Sequence, residues 1–187
     1  MSIRPLAAPR PKRAPARGPS RGPASALAVV LAAAALTACA PMAGGALPAA
    51  GPAAFDEADF AWSQAPGRNS IQGQIAFAQD GKAFSCVASA GLTPDTPYTR
   101  ARFRTLYGST ERAAVPAAVV RARTVPDANA NYADFVRSEP CRAGRFQFDG
   151  LPDGGWFVIA PVKADGDPIV LMRHVQTRGG RVVSLTL

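Results

Sequence analysis

Three thiols and one imidazole are the most reactive side chains in this 187-residue chain: Cys39, Cys86, Cys141 and His174. Their settings bound the chemistry. His174 lies in Ile169-Val-Leu-Met-Arg-His-Val175, a strand-like stretch that puts it on an outward or edge face, with no second histidine to share acid–base work. No serine beyond Cys39 stands in the Gly-x-Ser-x-Gly setting that presents a nucleophile, so the body of the chain offers no nucleophilic catalysis. With no Cys-x-x-Cys and one histidine, no zinc-type ligand set is present. Asp165 and Asp167 flank Gly166 in Lys-Ala-Asp-Gly-Asp-Pro, a fragment of a calcium loop that lacks the further acidic ligands and therefore reads as a plain turn. The expectation is a chain without enzymatic activity, cofactor or metal.

Two kinds of element must position these residues. The net charge of +8 suggests an anionic partner, but six of the positive charges lie in residues 1–38, which contain no acid. The remainder carries +2, and a nucleic-acid reading of the body loses its support. Residues 1–38 have the order of a secretory signal: a basic, proline-rich start, then the apolar run Ala24–Ala38, shorter than the roughly 18 residues a spanning helix needs. Directly behind it stands Cys39.

Leu36-Thr37-Ala38-Cys39 resembles the lipobox of bacterial lipoproteins, an apolar residue and two small ones before the acylated cysteine. The resemblance implies cleavage before Cys39, a diacylglycerol thioether on its sulfur and, commonly, a third chain such as palmitate on the new amino terminus. Small side chains suit a peptidase, and acylation needs a thiol nucleophile. Ala40, in place of the aspartate that the family associates with inner-membrane retention, implies the outer membrane, facing the periplasm. From there to residue 59 the chain is Ala-, Gly- and Pro-rich and reads as a tether. Residues 60–187 are the expected domain. With Cys39 acylated, Cys86 and Cys141 are an even count in an oxidising compartment, and the favoured reading is a disulfide closing a loop of roughly 55 residues, worth about 4 kcal/mol by chain entropy.

The body reads as short strands and turns: Ser70–Ala78, Lys82–Ser89, Ala117–Arg123, Tyr132–Ser138, Arg145–Asp149, Trp156–Val162, Asp167–Val175 and Arg181–Leu187. Such spacing predicts an all-β sandwich of seven to eight antiparallel strands. One helix interrupts it. Thr96 is its N-cap, Pro97 its first residue and Gly108 its stop, with Phe103, Leu106 and Tyr107 on one face. This helix is expected to cover one end of the sandwich. Phe146 and Phe148 are two apart and share the inner face of their strand. Gly154 permits a turn conformation, and Trp156 can be buried if its indole N–H finds an acceptor.

Gly144, Phe146, Phe148, Leu151, Pro152, Gly154, Trp156, Val158 and Ala160 fill a pattern that resembles the signature of carboxypeptidase regulatory-like domains. Ile71–Ile75 and Val182–Leu187 resemble that family's opening and closing strands. The resemblance implies a transthyretin-like β-sandwich. It is silent on residues 93–116, where Arg100, Arg102 and Arg104 spread over half the helix around Phe103. These three form either a solvated face or a patch for an anionic envelope partner.

Two functions follow as expectations. The first is a non-catalytic, lipid-anchored envelope protein whose sandwich binds or braces another protein. The second is a carbohydrate-binding module of the envelope, with Trp62, Tyr98, Tyr107 and Tyr132 as candidate stacking platforms.

Overall fold

A computed structural model describes residues 53–187. The leader, the lipobox and Cys39 lie outside the described residues. A 3-10 helix, Glu57–Gln64, comes first, capped by Asp56, whose carboxylate accepts from the Ala58 N–H. Then follow β1 (Asn69–Gln74), β2 (Ala78–Gln79), β3 (Lys82–Ala83), β4 (Ser85–Cys86), β5 (Ser89–Pro94), α1 (Pro97–Tyr107), β6 (Arg112–Pro116) and α2 (Ala117–Ala122). A second 3-10 helix (Ala130–Phe135) leads to β7 (Arg137–Pro140), β8 (Arg145–Leu151), β9 (Gly154–Lys163), β10 (Ile169–Thr177) and β11 (Val182–Thr186).

Two sheets face each other. The smaller has the order β11-β1-β8, the larger β6-β10-β9-β5-β7, with β4 also on β9. Eight of the strands have four or more residues, as the turn spacing predicts, and all pair antiparallel except β1 with β11. The core lies between the sheets. Ile71, Phe146, Phe148, Leu151 and Leu185 come from the small sheet, and Ala90, Leu92, Trp156, Val158, Ala160 and Val175 from the large one. The period of two decides this: β8 alternates exposed and buried along Arg145–Phe148. Trp156 is fully buried because its indole N–H donates to Thr177 Oγ1 at 3.0 Å, and that hydroxyl donates onward to the Pro152 carbonyl at 2.7 Å.

Helix α1 begins and ends where expected. Thr96 and Thr99 form a reciprocal capping box, and Gly108 closes the helix with φ 73°. Its place differs from the expectation. Rather than covering an end of the sandwich, α1 lies on the outer face of the large sheet, where Phe103 meets Phe157 and Met172, with Leu106 and Tyr107 beside them. The strand β9 is apolar on both faces, so its outer face needs a lid as much as its inner face needs the small sheet.

Three other expectations are corrected. Ala117–Arg123 holds no strand: β6 ends at Pro116 and Ala117–Ala122 is helical, in keeping with the propensity of three alanines. Tyr132–Ser138 is split, because Asn129 caps a 3-10 turn that carries Phe135 onto Phe60, ring centroids 4.8 Å apart. Gly154 is not a positive-φ residue; Gly144 and Gly150 take that conformation. What Gly154 supplies is space, since a Cβ there would meet the Trp62 ring at 2.1 Å. Trp62 packs edge-on against Trp156, centroids 4.9 Å apart, and so fastens the opening helix to the core. Phe55 already packs on Phe60 and Tyr98, so the folded body begins before residue 60.

Candidate functional site

Cys86 and Cys141 are disulfide-bonded, with Cα atoms 6.1 Å apart. The bond joins β4 to the residue after β7, whose N–H donates to the Ala88 carbonyl at 3.0 Å. Both ends lie beside the motif-bearing strands, and the bond is structural in placement.

The three arginines do not form one free patch. Arg100 donates to Asp95 Oδ2. Arg102 lies over the Tyr132 ring at 4.4 Å, with its Nε and Nη1 buried and without a hydrogen-bond partner. Arg104, in the last turn of α1, is exposed and takes part in no ion pair among the described residues, and its charge suits the negative end of the helix dipole.

His174 does not lie on an open face. Its register partner is Phe157, so it points toward α1, and its side chain is 15% exposed. Nε2 donates to Asp95 Oδ2 at 2.8 Å, making a histidine–aspartate–arginine cluster between β10, the β5–α1 junction and α1. Gly155 makes the room, since a Cβ there would meet the Asp95 carboxylate at 2.7 Å. Burial pushes the Asp95 carboxyl up, but the hydrogen bonds from His174 and Arg100 and the arginine charge outweigh it and hold the carboxyl below its ordinary range. The pair, with Arg100, ties α1 to the large sheet. Because the folded-state value is depressed, the stabilisation is complete above the ordinary carboxylate range and is lost as pH falls through it. Asp95→Asn is therefore expected to lower stability at pH 6 and to flatten the acid limb of the stability–pH curve below about pH 4; an unchanged acid limb in urea titrations would remove Asp95 from that role.

The aromatic candidates are likewise occupied. Tyr98 is buried, and its hydroxyl donates to the Asp127 and Asn129 carbonyls. Tyr107 packs on Phe103, and burial, with Tyr132 nearby, pushes its phenol up to about 12. Tyr132 lies beneath Arg102, and Trp62 lies on the core. None is an open stacking platform. Asp165 pairs with Lys82 at 3.1 Å in an exposed turn, and no group of three metal-ligating side chains occurs among the described residues.

A surface hollow lies elsewhere, on the outward face of the small sheet. Alternation sends Ser70, Gln72 and Gln74 of β1 outward beside Arg145, Gln147 and Asp149 of β8 and Ser184 and Thr186 of β11. Each β1 residue has a polar neighbour. Gln72 Nε2 donates to Gln147 Oε1 at 3.3 Å, Gln147 Nε2 donates to both Asp149 oxygens at 2.9 Å, and Ser70 donates to Asp149 at 2.6 Å. The Ser70 and Gln147 hydrogen bonds hold the Asp149 carboxyl below its ordinary range. Two adjoining hollows open here, about 540 and 330 Å³, which share Gln72, Gly73 and Arg145. Glu139, Pro140 and Arg142 wall the larger one. Gly73 leaves room for the Phe146 ring, which occupies the place its Cβ would take, at 1.9 Å.

No family model matches the chain, and no curated protein matches it. A crystal structure does: that of a proposed carbohydrate-binding protein from Pseudomonas aeruginosa, 22% identical, aligned over 71% of this chain and 97% of that one with a TM-score of 0.51. The likeness is one of fold. It accords with the sandwich and carries no residue-level assignment. Sequence reasoning missed the small-sheet face because glutamines alternating with core residues read as ordinary solvated strand positions; the signal was the density of side-chain amides, Gln72, Gln74 and Gln147, at aligned positions.

Proposed function

We propose that this protein is a non-catalytic binding module of the cell envelope, held by a lipid on Cys39, and that the outer face of its small sheet takes glycans. The observation that carries the reading is the polar row Gln74–Arg145 and Gln72–Gln147, with Glu139 and Arg142 above it: planar amide and charged groups, donors and acceptors interleaved, over a hollow of about 540 Å³. Polyhydroxylated ligands need such paired donors and acceptors, and a hollow of this size suits a few sugar rings. The shared fold with a protein described as carbohydrate-binding supports the same reading. Recognition here rests on hydrogen bonds rather than ring stacking, since Trp62, Tyr98, Tyr107 and Tyr132 are engaged within the fold.

Soluble fragments of peptidoglycan and lipopolysaccharide, titrated by calorimetry, test it. At least one glycan is expected to bind, and Gln72→Ala with Gln147→Ala to weaken binding at least about fivefold, since each lost hydrogen bond is worth about 0.5–1.5 kcal/mol. Binding untouched by the double variant overturns the site. If no glycan binds and cross-linking captures an envelope protein on the same face, the protein-interaction reading replaces it.

The anchor has its own test. Metabolic labelling with a palmitate analogue is expected to mark the protein and to be abolished by Cys39→Ser, because the sulfur is the acylated atom in the lipobox reading. Undiminished label on the variant would refute the anchor.

A further inference from the structure

The two sheets differ in width. Strand β11, the edge of the small sheet, packs over β10, while β6 extends the large sheet one strand further. Trp156, Val158 and Ala160 on the inward face of β9 pair with Val175, Arg173 and Leu171 of β10. Leu171 and Arg173 in turn pair with Ala114 and Arg112 of β6. Arg112 and Arg173 therefore occupy inward-face positions, where strand patterning calls for apolar residues, and they stand directly opposite each other. Both are exposed, and neither takes part in an ion pair among the described residues. Like charges opposed across a strand pair destabilise it. Local rules broken without an internal compensation are expected at functional or strained positions.

The overhang is also a groove. It has a volume of about 380 Å³, and Phe77, Leu171 and Leu187 give it an apolar lining beside the two arginines. It lies beyond β11 from the glycan face and shares only Thr186 with the hollow there.

We propose that this groove binds an anionic single-chain amphiphile of the fatty-acid class, with the hydrocarbon chain along Phe77, Leu171 and Leu187 and the carboxylate between Arg112 and Arg173. The charge complementarity is specific. Paired guanidinium groups offer a fork of donors that a carboxylate accepts, and the anion cancels the repulsion between them. The apolar lining distinguishes this from a bare anion site, because a small anion leaves Phe77 and Leu187 wet. A neutral amphiphile covers the apolar lining but leaves the two like charges opposed. The groove's volume falls in the range of about 300–1,000 Å³ typical of small-ligand sites. The inference is independent of the glycan reading.

The test is a calorimetric titration of the full chain carrying Cys39→Ser, so that no acyl chain of its own is present, with dodecanoate below its micellar concentration. Dodecanol and acetate serve as the uncharged and chainless comparators. Dodecanoate is expected to bind at least about tenfold more tightly than either. Arg112→Gln with Arg173→Gln is expected to remove that preference without lowering the melting temperature, since it relieves the repulsion. If the double variant fails to fold, Arg112→Gln alone, on the edge strand, makes the same comparison. Equal binding of dodecanol, equal binding of acetate, or unchanged dodecanoate binding by the folded variant would each overturn the proposal.

Discussion

Phe148→Ala is expected to destabilise the protein by about 3–5 kcal/mol, the cost of truncating a fully buried phenylalanine. Phe148 is 1% exposed, faces Ile71 across the β1–β8 ladder and meets Phe146 edge-on with centroids 5.8 Å apart. Ile71 opposite it belongs to β1, which is paired on both sides, so it has little freedom to collapse into the space left behind. For a domain of this size the loss corresponds to a fall in melting temperature on the order of 10 °C or more. Gln147→Ala, one residue away on the outer face, provides the contrast: its change should stay within about 0.5 kcal/mol, because it removes exposed polar contacts. Urea unfolding of both variants checks the pair. A Phe148→Ala loss below about 1 kcal/mol would mean that the two-sheet core is not the main source of cohesion.

Removing the disulfide is expected to have an effect of similar size. Cys86 and Cys141 are 55 residues apart, and the chain-entropy account assigns about 4 kcal/mol to a closed loop of that length. That loop contains β5, α1, β6, α2 and β7, so in the unfolded chain the bond confines the whole segment that the carboxypeptidase-like resemblance does not describe. Cys86→Ser with Cys141→Ser should therefore lower the urea midpoint substantially while leaving the folded architecture unchanged, because β5 still pairs with β7 at Ser89–Pro140 through Leu92–Arg137. Most of the change should appear as destabilisation relative to a less restricted unfolded state. Stability that is the same with and without reductant would contradict the loop-entropy account.

Much of the fold was legible in the chain because its determinants are local. The period of two along Arg145–Asp149, the turn at Leu151–Gly155 and the capping signals of Thr96, Pro97 and Gly108 each act within a few residues, and the structure has each of them in place. The even count of Cys86 and Cys141 gave the disulfide. The same local logic misread Ala117–Arg123 and Tyr132–Phe135, where alanine propensity and an Asn129 cap compete with a strand-like pattern. What only the tertiary structure decided are the long-range relations. Asp95 and His174 are 79 residues apart, and their hydrogen bond exists because β10 and the end of β5 both border β9. Asp95 also holds Arg100, and Arg102 stacks on Tyr132, so two of the three arginines singled out from the sequence are engaged by contacts within the fold. The polar row on the small sheet and the opposed Arg112 and Arg173 depend on strand register, which links residues far apart in the chain. Alternation along a strand tells which residues share a face; only pairing, and the unequal width of the two sheets, tells which faces remain open.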